Sequence, residues 1–189
     1  MAGMVKHNVR LEGRRPVLFN RYPGDNDTQL PPEKKFYFGE DKKTLIFPSL
    51  NLFSMICATN SNSAAKLFFD MRAYKRVAFA LSGSFEIEPA EIPFLRDGKP
   101  ITFEGFDQNG ITLSTAVPRV KGGIPNPCAR PVLDTPWALE FSLAFLPTEF
   151  CSEESWRELW VFAGQLIGIG SYRGPYGKFS VAKWEEVRD

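Results

Sequence analysis

The sequence is poor in the residue that most hydrolytic enzymes depend on, because His7 is the only histidine among its 189 residues. Catalytic zinc sites commonly use histidine ligands, and a Ser or Cys nucleophile is commonly activated by a histidine base. A single histidine therefore excludes most metal hydrolases and most nucleophilic triads. His7 also falls on the apolar side of an alternating stretch, which favours a histidine inside the fold over a catalytic one.

Cysteine is scarce as well. Cys57, Cys128 and Cys151 are far apart, odd in number and without the paired spacing of metal ligands. This pattern predicts reduced thiols in a cytoplasmic protein and excludes a disulfide framework or a zinc site. We expect neither a metal nor another cofactor.

Long apolar runs are also missing from the sequence. No stretch approaches the roughly 20 apolar residues that span a bilayer, and the start of the chain lacks the apolar core of a secretory signal. We therefore expect no membrane partner. A length of 189 residues and a hydrophobic fraction of 43% suit a single globular domain over residues 1–189.

The formal net charge of +1 hides a local asymmetry. Residues 1–23 hold five cations against Glu12 alone, and residues 115–133 hold three cations and no acid. A protein that is neutral overall can still present a basic face to an anionic partner. Each short run also fits an ordinary solvated surface, so the charge pattern alone leaves both interpretations open.

Apolar periodicity predicts strands over residues 5–11, 77–87, 137–145 and 179–184, the second with a bend at Gly83. A small hairpin is predicted between 101–104 and 111–114, across Asn109-Gly110. Residues 20–44 form a polar excursion rich in Pro, Gly, Asp and Lys.

Helical spacing predicts a helix with Ser49 as N-cap, a second helical piece at about 64–72, and a third helix capped by Ser152. The first would bury Leu50, Phe53, Ile56 and Cys57. The third would bury Trp156, Leu159, Trp160 and Ala163, begin with Glu153 and Glu154, and stop at Gly164.

The segment from Gly168 to Lys178 contains four glycines, two tyrosines and two cations. Glycine lets another backbone or a phosphate approach closely, Arg173 and Lys178 attract phosphates, and Tyr172 and Tyr176 offer rings on which bases stack. On this interpretation, side chains at Gly170 or Gly177 would weaken binding more than folding. The alternative is a plain glycine-rich connection between a helix and an edge strand.

The element order is strand, helix, strand, strand, helix, strand. This is the α+β, ferredoxin-like split βαβ pattern shared with RNA-recognition-motif domains, with an antiparallel sheet. Insertions follow the first and second strands, at about 20–47 and 89–135. Gly168-Ile169-Gly170, a six-residue spacer and Gly177-Lys178-Phe179 resemble the glycine-rich loop of the RAMP superfamily of CRISPR-associated proteins. The specific match covers residues 152–184.

The overall plan looks most like the RAMP backbone subunit that coats guide RNA, whose thumb-like insertion corresponds to residues 89–135. The resemblance implies a non-catalytic protein that holds single-stranded nucleic acid, most of all guide RNA, together with other copies of itself or CRISPR effector subunits. The residues expected to contact nucleic acid are Arg10, Arg14, Arg15, Arg21, Arg119, Lys121, Arg130, Gly168, Gly170, Tyr172, Arg173, Gly174, Tyr176, Gly177 and Lys178.

Two alternatives remain open. A virus-borne interaction factor or CRISPR inhibitor could keep this fold without the RNA role. A RAMP-type endoribonuclease could use His7, or an acid such as Asp25 or Asp27. Gly24-Asp-Asn-Asp27 is more simply a turn, so we expect no catalysis.

Overall fold

A computed structural model describes residues 3–25, 29–58, 62–69, 74–114 and 128–188. Within these residues the chain forms ten strands and four α-helices. The strands are β1 (Val5–Gly13), β2 (Val17–Leu18), β3 (Ile46–Pro48), β4 (Phe85–Glu88), β5 (Glu91–Arg96), β6 (Lys99–Pro100), β7 (Ile111–Ser114), β8 (Arg130–Leu133), β9 (Ala138–Phe145) and β10 (Phe179–Glu186). The helices are α1 (Ser49–Cys57), α2 (Ala64–Phe68), α3 (Tyr74–Ser82) and α4 (Glu153–Phe162).

The main sheet has the strand order of a split βαβ fold. β1 is one of its inner strands and pairs antiparallel with β10 on one side and β9 on the other. On its far side β9 pairs antiparallel with β4 and β5, and β5 pairs with β3. The four strands of the split βαβ pattern are β1, β4, β9 and β10. β1 and β9 are adjacent, and each helical connection passes over one intervening strand, so the predicted α+β fold class is confirmed. A smaller sheet, in the order β2-β8-β7, lies beside it.

One face of the main sheet is buried, as the alternation in β1 and β9 predicts. The register places Val9 opposite Phe141 and Leu11 opposite Leu139, and all four side chains are buried. Trp156 and Trp160 of α4 pack against this face, with ring centroids 5.1 Å from Phe145 and 5.4 Å from Phe141, respectively.

His7 belongs to this core, and the prediction of an interior histidine is confirmed. Its side chain is 3% exposed, with ring centroids 5.3 Å from Phe145 and 5.1 Å from Trp184. Burial lowers the pKa of His7, and the nearby carboxylates of Glu153 and Glu186 only partly oppose this effect.

The start of α4 is as predicted, but its end is not. The Ser152 hydroxyl accepts a hydrogen bond from the Ser155 amide, and Glu153 and Glu154 occupy the first turn. Gly164 does not stop the helix. The helix continues as a π-helical turn over Ala163–Ile167. This turn ends at Gly168, whose φ is +81°. A Cβ at Gly164 would meet the Phe179 carbonyl, so that glycine allows close approach of β10.

The predicted strand over 77–87 is wrong in its first half. α3 runs to Ser82, where Val77, Ala78 and Leu81 are buried at helical spacing and Phe79 is 80% exposed. Only Phe85–Glu88 is a strand. In the second predicted helical piece, α2 accounts for 64–68, and residues 70–73 lie outside the described part of the chain.

The predicted hairpin across Asn109-Gly110 is also wrong. β7 pairs with β8, while Thr102 forms a bridge with Thr44. The turn chemistry was correct, since both Asn109 and Gly110 have positive φ, but the turn closes only a bridge between Gln108 and Ile111.

Two further expectations need correction. Pro48, and not Ser49, is the N-cap of α1. Ile56 and Cys57 are buried as predicted, but Leu50 is 73% exposed and Phe53 is only partly buried, and Leu52 and Met55 complete the buried face. The excursion over 20–44 is not wholly polar, because the Phe36 side chain lies in the core. No helix in the described ranges has the length and apolar character needed to cross a bilayer.

Candidate nucleic-acid interface

The glycine-rich loop, Gly168–Gly177, is a folded unit held by backbone hydrogen bonds. The Ile169 amide donates to the Gly177 carbonyl at 2.9 Å, which joins the two arms of the loop. The amides of Ser171 and Gly177 donate to the carbonyls of Leu18 and Pro16, each at 2.7 Å. The loop is therefore fixed to the segment that contains β2.

Three glycines of this loop are required by its own packing. A Cβ would lie 2.6 Å from the Tyr176 carbonyl oxygen at Gly168 and 2.6 Å from the Leu18 carbonyl oxygen at Gly170, and at Gly177 it would overlap the Ile169 carbonyl. All three have φ between +67° and +81°. The expectation that a side chain at Gly170 or Gly177 would disturb binding more than folding is therefore wrong, because protein backbone occupies that space.

Several backbone amides of the loop already donate hydrogen bonds to other backbone carbonyls. Gly168 donates to the Ala163 carbonyl, Gly174 to Ile167, and Gly177 to Pro16. These three amides cannot bind a phosphate while the loop keeps this structure. Gly174 differs from the other two in one respect, since a Cβ there would meet no atom within 4 Å. We therefore expect contacts between this loop and nucleic acid to come mainly from its side chains.

A cleft of about 180 Å³ separates the glycine-rich loop from α1. We call it the loop–helix cleft. Buried apolar side chains form part of its lining, and polar side chains from four separate parts of the chain complete it. The apolar residues are Phe19, Phe47, Met55 and Ile169, and the polar ones are Asn20, Tyr37, Asn51, Ser54, Ser171 and Arg173.

Several polar groups of the loop–helix cleft have no partner among the described residues. The side chains of Asn20, Asn51 and Arg173 form no hydrogen bond and no ion pair there. Arg173 is exposed to solvent, yet desolvation by the surrounding protein lowers its pKa. Unpaired donors and a partly desolvated cation that line one concave surface are the usual features of a ligand site.

Arg173 also borders a second cleft. This cleft, of about 370 Å³, is lined by Gly174 of the loop and by Leu67 of α2 and Leu166 of the π-helical turn. Both leucines are substantially exposed, at 45% and 55%. Arg173 therefore borders two concave surfaces.

The predicted cations differ sharply in their acidic neighbours. Arg10 on β1 forms ion pairs with Glu140 and Glu12, and its pKa is raised by those hydrogen bonds. In the described part of the chain, the other predicted cations form no salt bridge: Arg14, Arg15, Arg21, Arg130, Arg173 and Lys178. Arg10 is thus already neutralised, and we leave it out of the proposed site.

Three of the unpaired cations gather at the end of the loop. The Lys178 carbonyl accepts hydrogen bonds from the amides of Arg14 and Arg15, at 2.7 and 3.2 Å. Burial and the neighbouring charge of Arg15 lower the pKa of Lys178. Like charges held this close together favour a bound anion.

The remaining predicted residues are more scattered. Arg21 lies over the ring of Tyr37, 5.9 Å from its centroid, beside the loop–helix cleft. Tyr172 is 58% exposed with a φ of +54°, and its ring centroid is 6.3 Å from that of the half-buried Tyr176. Arg119 and Lys121 lie outside the described residues.

Arg130 begins β8, where its charge acts on Cys128. Burial would raise the pKa of the Cys128 thiol, but hydrogen bonds and charge from Lys35 and Arg130 outweigh it and lower that pKa. Lys35 is itself buried, with its ammonium 3.0 Å from the Cys128 sulfur and 2.7 Å from the Ala129 carbonyl oxygen. Among the described side chains of His, Cys, Asp and Glu, no group of three comes together as metal ligands would.

The open face of the main sheet is a poor candidate for RNA. RNA-recognition motifs stack bases on aromatic side chains of this face. Here, the described parts of β1, β4, β9 and β10 place no aromatic side chain on it. Their charged residues there include five acids and three cations: Glu12, Glu86, Glu88, Glu140, Glu185, Lys6, Arg10 and Lys183.

The polar lining of the loop–helix cleft was not predicted from the sequence. Asn51 and Ser54 are three residues apart on α1, a spacing that places them on one face of the helix. That spacing was the available signal, but a polar helix face is ordinarily solvent-exposed. Asn20 and Tyr37 offered no signal, because they come from irregular segments.

A chain from the cryo-EM structure of the Type III-B Cmr-beta bound to cognate target RNA resembles this one, with a TM-score of 0.63. The two chains share a fold. The match covers 98% of this chain and 61% of the Cmr-beta chain at 11% sequence identity, so this chain spans about three-fifths of its neighbour's length. No protein-family model and no curated protein match the sequence.

Proposed function

We propose that this chain binds single-stranded RNA without cutting it, as a guide-RNA-holding subunit of a CRISPR-type ribonucleoprotein. The observation that carries the proposal is Arg173, a partly desolvated cation without an acidic partner in the described residues, at the loop–helix cleft. The fold likeness to a chain of an RNA-bound Cmr-beta assembly supports it. The glycine-rich loop resembles that of the RAMP superfamily in the same region.

In this proposal the side chains around the loop bind the RNA backbone. Arg173 holds one phosphate, and Arg14, Arg15 and Lys178 hold others at the far end of the loop. Contacts of this kind position a strand and carry no sequence information. The exposed ring of Tyr172 stacks on a base, which adds affinity for any sequence.

We also propose that the chain does not cleave the RNA it binds. General acid–base cleavage needs a group with a suitable pKa within hydrogen-bond reach of the substrate. His7 is enclosed by Phe145 and Trp184, and its Nε2 faces Glu153 Oε1 at 3.5 Å. A phosphodiester cannot reach it without opening of the core. Asp25 lies within the described residues and Asp27 outside them.

Incubation of the purified protein with labelled single-stranded RNA, with and without magnesium, tests the absence of cleavage. We expect intact RNA in both reactions. Cleavage that disappears in His7→Ala, or in Asp25→Ala combined with Asp27→Ala, would restore the endoribonuclease alternative. Cleavage that survives all of these substitutions would point to a contaminating nuclease and is resolved by repeating the assay after further purification.

The partners in this proposal include other protein subunits. Leu50 of α1 and Phe79 of α3 are large apolar side chains that are 73% and 80% exposed. We propose that such residues contact neighbouring subunits along the RNA. Light scattering should then show species with several protein copies on a long RNA and with fewer copies on a short one.

The experiment that tests the proposed function is purification without nuclease. We expect an elevated 260/280 nm absorbance ratio, a co-purifying polymer that ribonuclease digests, and rebinding of single-stranded RNA at low salt. The rival is a protein-interaction factor that keeps the fold without the RNA role. A nucleic-acid-free protein that fails to bind RNA at low salt, and instead binds isolated effector subunits, would establish that rival.

A further inference from the structure

We infer that the loop–helix cleft holds one nucleobase of the bound strand, and that the amide side chains of Asn20 and Asn51 read its edge. This inference rests on the proposed function, because it assigns a base-specific site to a protein otherwise expected to bind RNA through its backbone. It predicts that the protein distinguishes between bases at one position of the strand.

The dimensions of the cleft limit what can enter it. Its volume of about 180 Å³ lies below the roughly 300–1,000 Å³ of pockets that bind drug-sized ligands. The buried side chains of Phe19, Phe47 and Met55 provide apolar lining. A small, flat, partly apolar group suits such a space, and a nucleobase is such a group.

The amides supply the specificity. Each Asn side chain carries a carbonyl acceptor and an amino donor. Neither Asn20 nor Asn51 uses these groups within the described residues. In protein–nucleic acid complexes, the adjacent donor and acceptor of an Asn side chain match N7 and N6 of adenine. Adenine is therefore the base that these two side chains fit best.

The setting of the cleft favours a base that belongs to a strand. Arg173 lines the cleft and, in the described chain, has no acidic partner, so a phosphate attached to the bound nucleotide would meet a free cation. Arg21, over the Tyr37 ring, adds a second positive charge beside the same cleft. A neutral apolar peptide would leave both charges and both amides unsatisfied.

The test compares three RNA strands of equal length by fluorescence anisotropy: oligoadenylate, oligouridylate and an abasic ribose-phosphate strand. The readout is the ratio of affinities for oligoadenylate and oligouridylate, measured for wild type and for Asn51→Leu. The matched control is Asn8→Leu, which removes an amide from β1 on the open face of the sheet. Because stacking within each free strand affects all three proteins equally, the change in the ratio from wild type to variant isolates the contribution of the cleft.

We expect wild type to prefer oligoadenylate by about 5- to 150-fold, which corresponds to one good bidentate base contact. Asn51→Leu should bring the ratio near one and leave the affinity for the abasic strand unchanged. Asn8→Leu should keep the wild-type ratio. If Asn51→Leu fails to fold, Asn20→Ala replaces it, because that side chain is exposed.

Each failure has its own signature. If the wild-type protein bound none of the three strands, the proposed function itself would be overturned. Binding of the abasic strand with an adenine-to-uracil ratio near one would leave the proposed function standing and overturn the base site. An equal fall of the ratio in Asn51→Leu and Asn8→Leu would also overturn it, since the effect would not depend on the cleft.

Discussion

Replacing Gly177 with alanine tests whether the glycine-rich loop is built on close backbone packing. At this position φ is +67°, and an added Cβ would overlap the Ile169 carbonyl oxygen. The Ile169 amide also donates to the Gly177 carbonyl at 2.9 Å, so a shift of either arm breaks a hydrogen bond. Gly98 provides a matched control, because its φ is +75° and no atom lies within 4 Å of its Cβ position.

The expected losses of stability can be worked out from these differences. A left-handed conformation costs a residue with a side chain about 1–2 kcal/mol, which applies to both variants. Gly177→Ala adds about 1–3 kcal/mol of overpacking and about 1 kcal/mol for a disturbed hydrogen bond. The free energy of unfolding should therefore fall by about 2–4 kcal/mol more in Gly177→Ala than in Gly98→Ala.

Urea denaturation followed by tryptophan fluorescence measures this difference, since Trp156 and Trp160 are buried in the core. In a thermal melt, a chain of this length should show a midpoint about 4–16 °C lower for Gly177→Ala than for Gly98→Ala. Equal stability of the two variants would refute the reasoning, because the loop would then have room for a side chain at Gly177.

Two further predictions concern His7 and Tyr172. Because burial lowers the pKa of His7 below its ordinary 6.5, the unfolded chain binds the proton more readily, and the free energy of unfolding should decrease as pH falls from 7.5 towards 5.5. His7→Phe, which keeps a ring between Phe145 and Trp184, should lose this decrease, and identical pH profiles for the two proteins would contradict the assignment. Tyr172 has a φ of +54°, so Tyr172→Gly should leave the melting temperature equal to wild type or higher. Its RNA affinity should fall by about 5- to 150-fold if the ring stacks on a base, and unchanged affinity would remove Tyr172 from the site.

The sequence correctly predicted those elements for which only one structure explains the residue pattern. β1 and β9 alternate because one face is buried, and α4 begins where Ser152 caps it. The prediction of a strand that includes Val77 and Leu81 was wrong because a short apolar run fits both the strand period and the helix period. The contacts of α3 with α1 and α2 favour the helix. No local signal carries that choice.

The candidate site was predictable only in part for a related reason. The glycine-rich loop is continuous in sequence, so its glycines, Tyr172 and Arg173 could be found. The packing role of these glycines could not be predicted, because the atoms they contact include those of Leu18, which is distant in the sequence. Asn20, Tyr37 and Asn51 meet at the loop–helix cleft only through the tertiary fold.

The salt dependence of RNA affinity tests the central claim most directly. For binding to single-stranded RNA, the logarithm of the association constant should fall linearly with the logarithm of the salt concentration, by about 0.7 for each phosphate neutralised. Arg173→Ala should weaken binding and reduce this slope by about that amount. Arg10→Ala, which removes a cation already paired with Glu140 and Glu12, should leave the slope unchanged. A slope that is unaltered in Arg173→Ala, or reduced equally in both variants, would contradict the account.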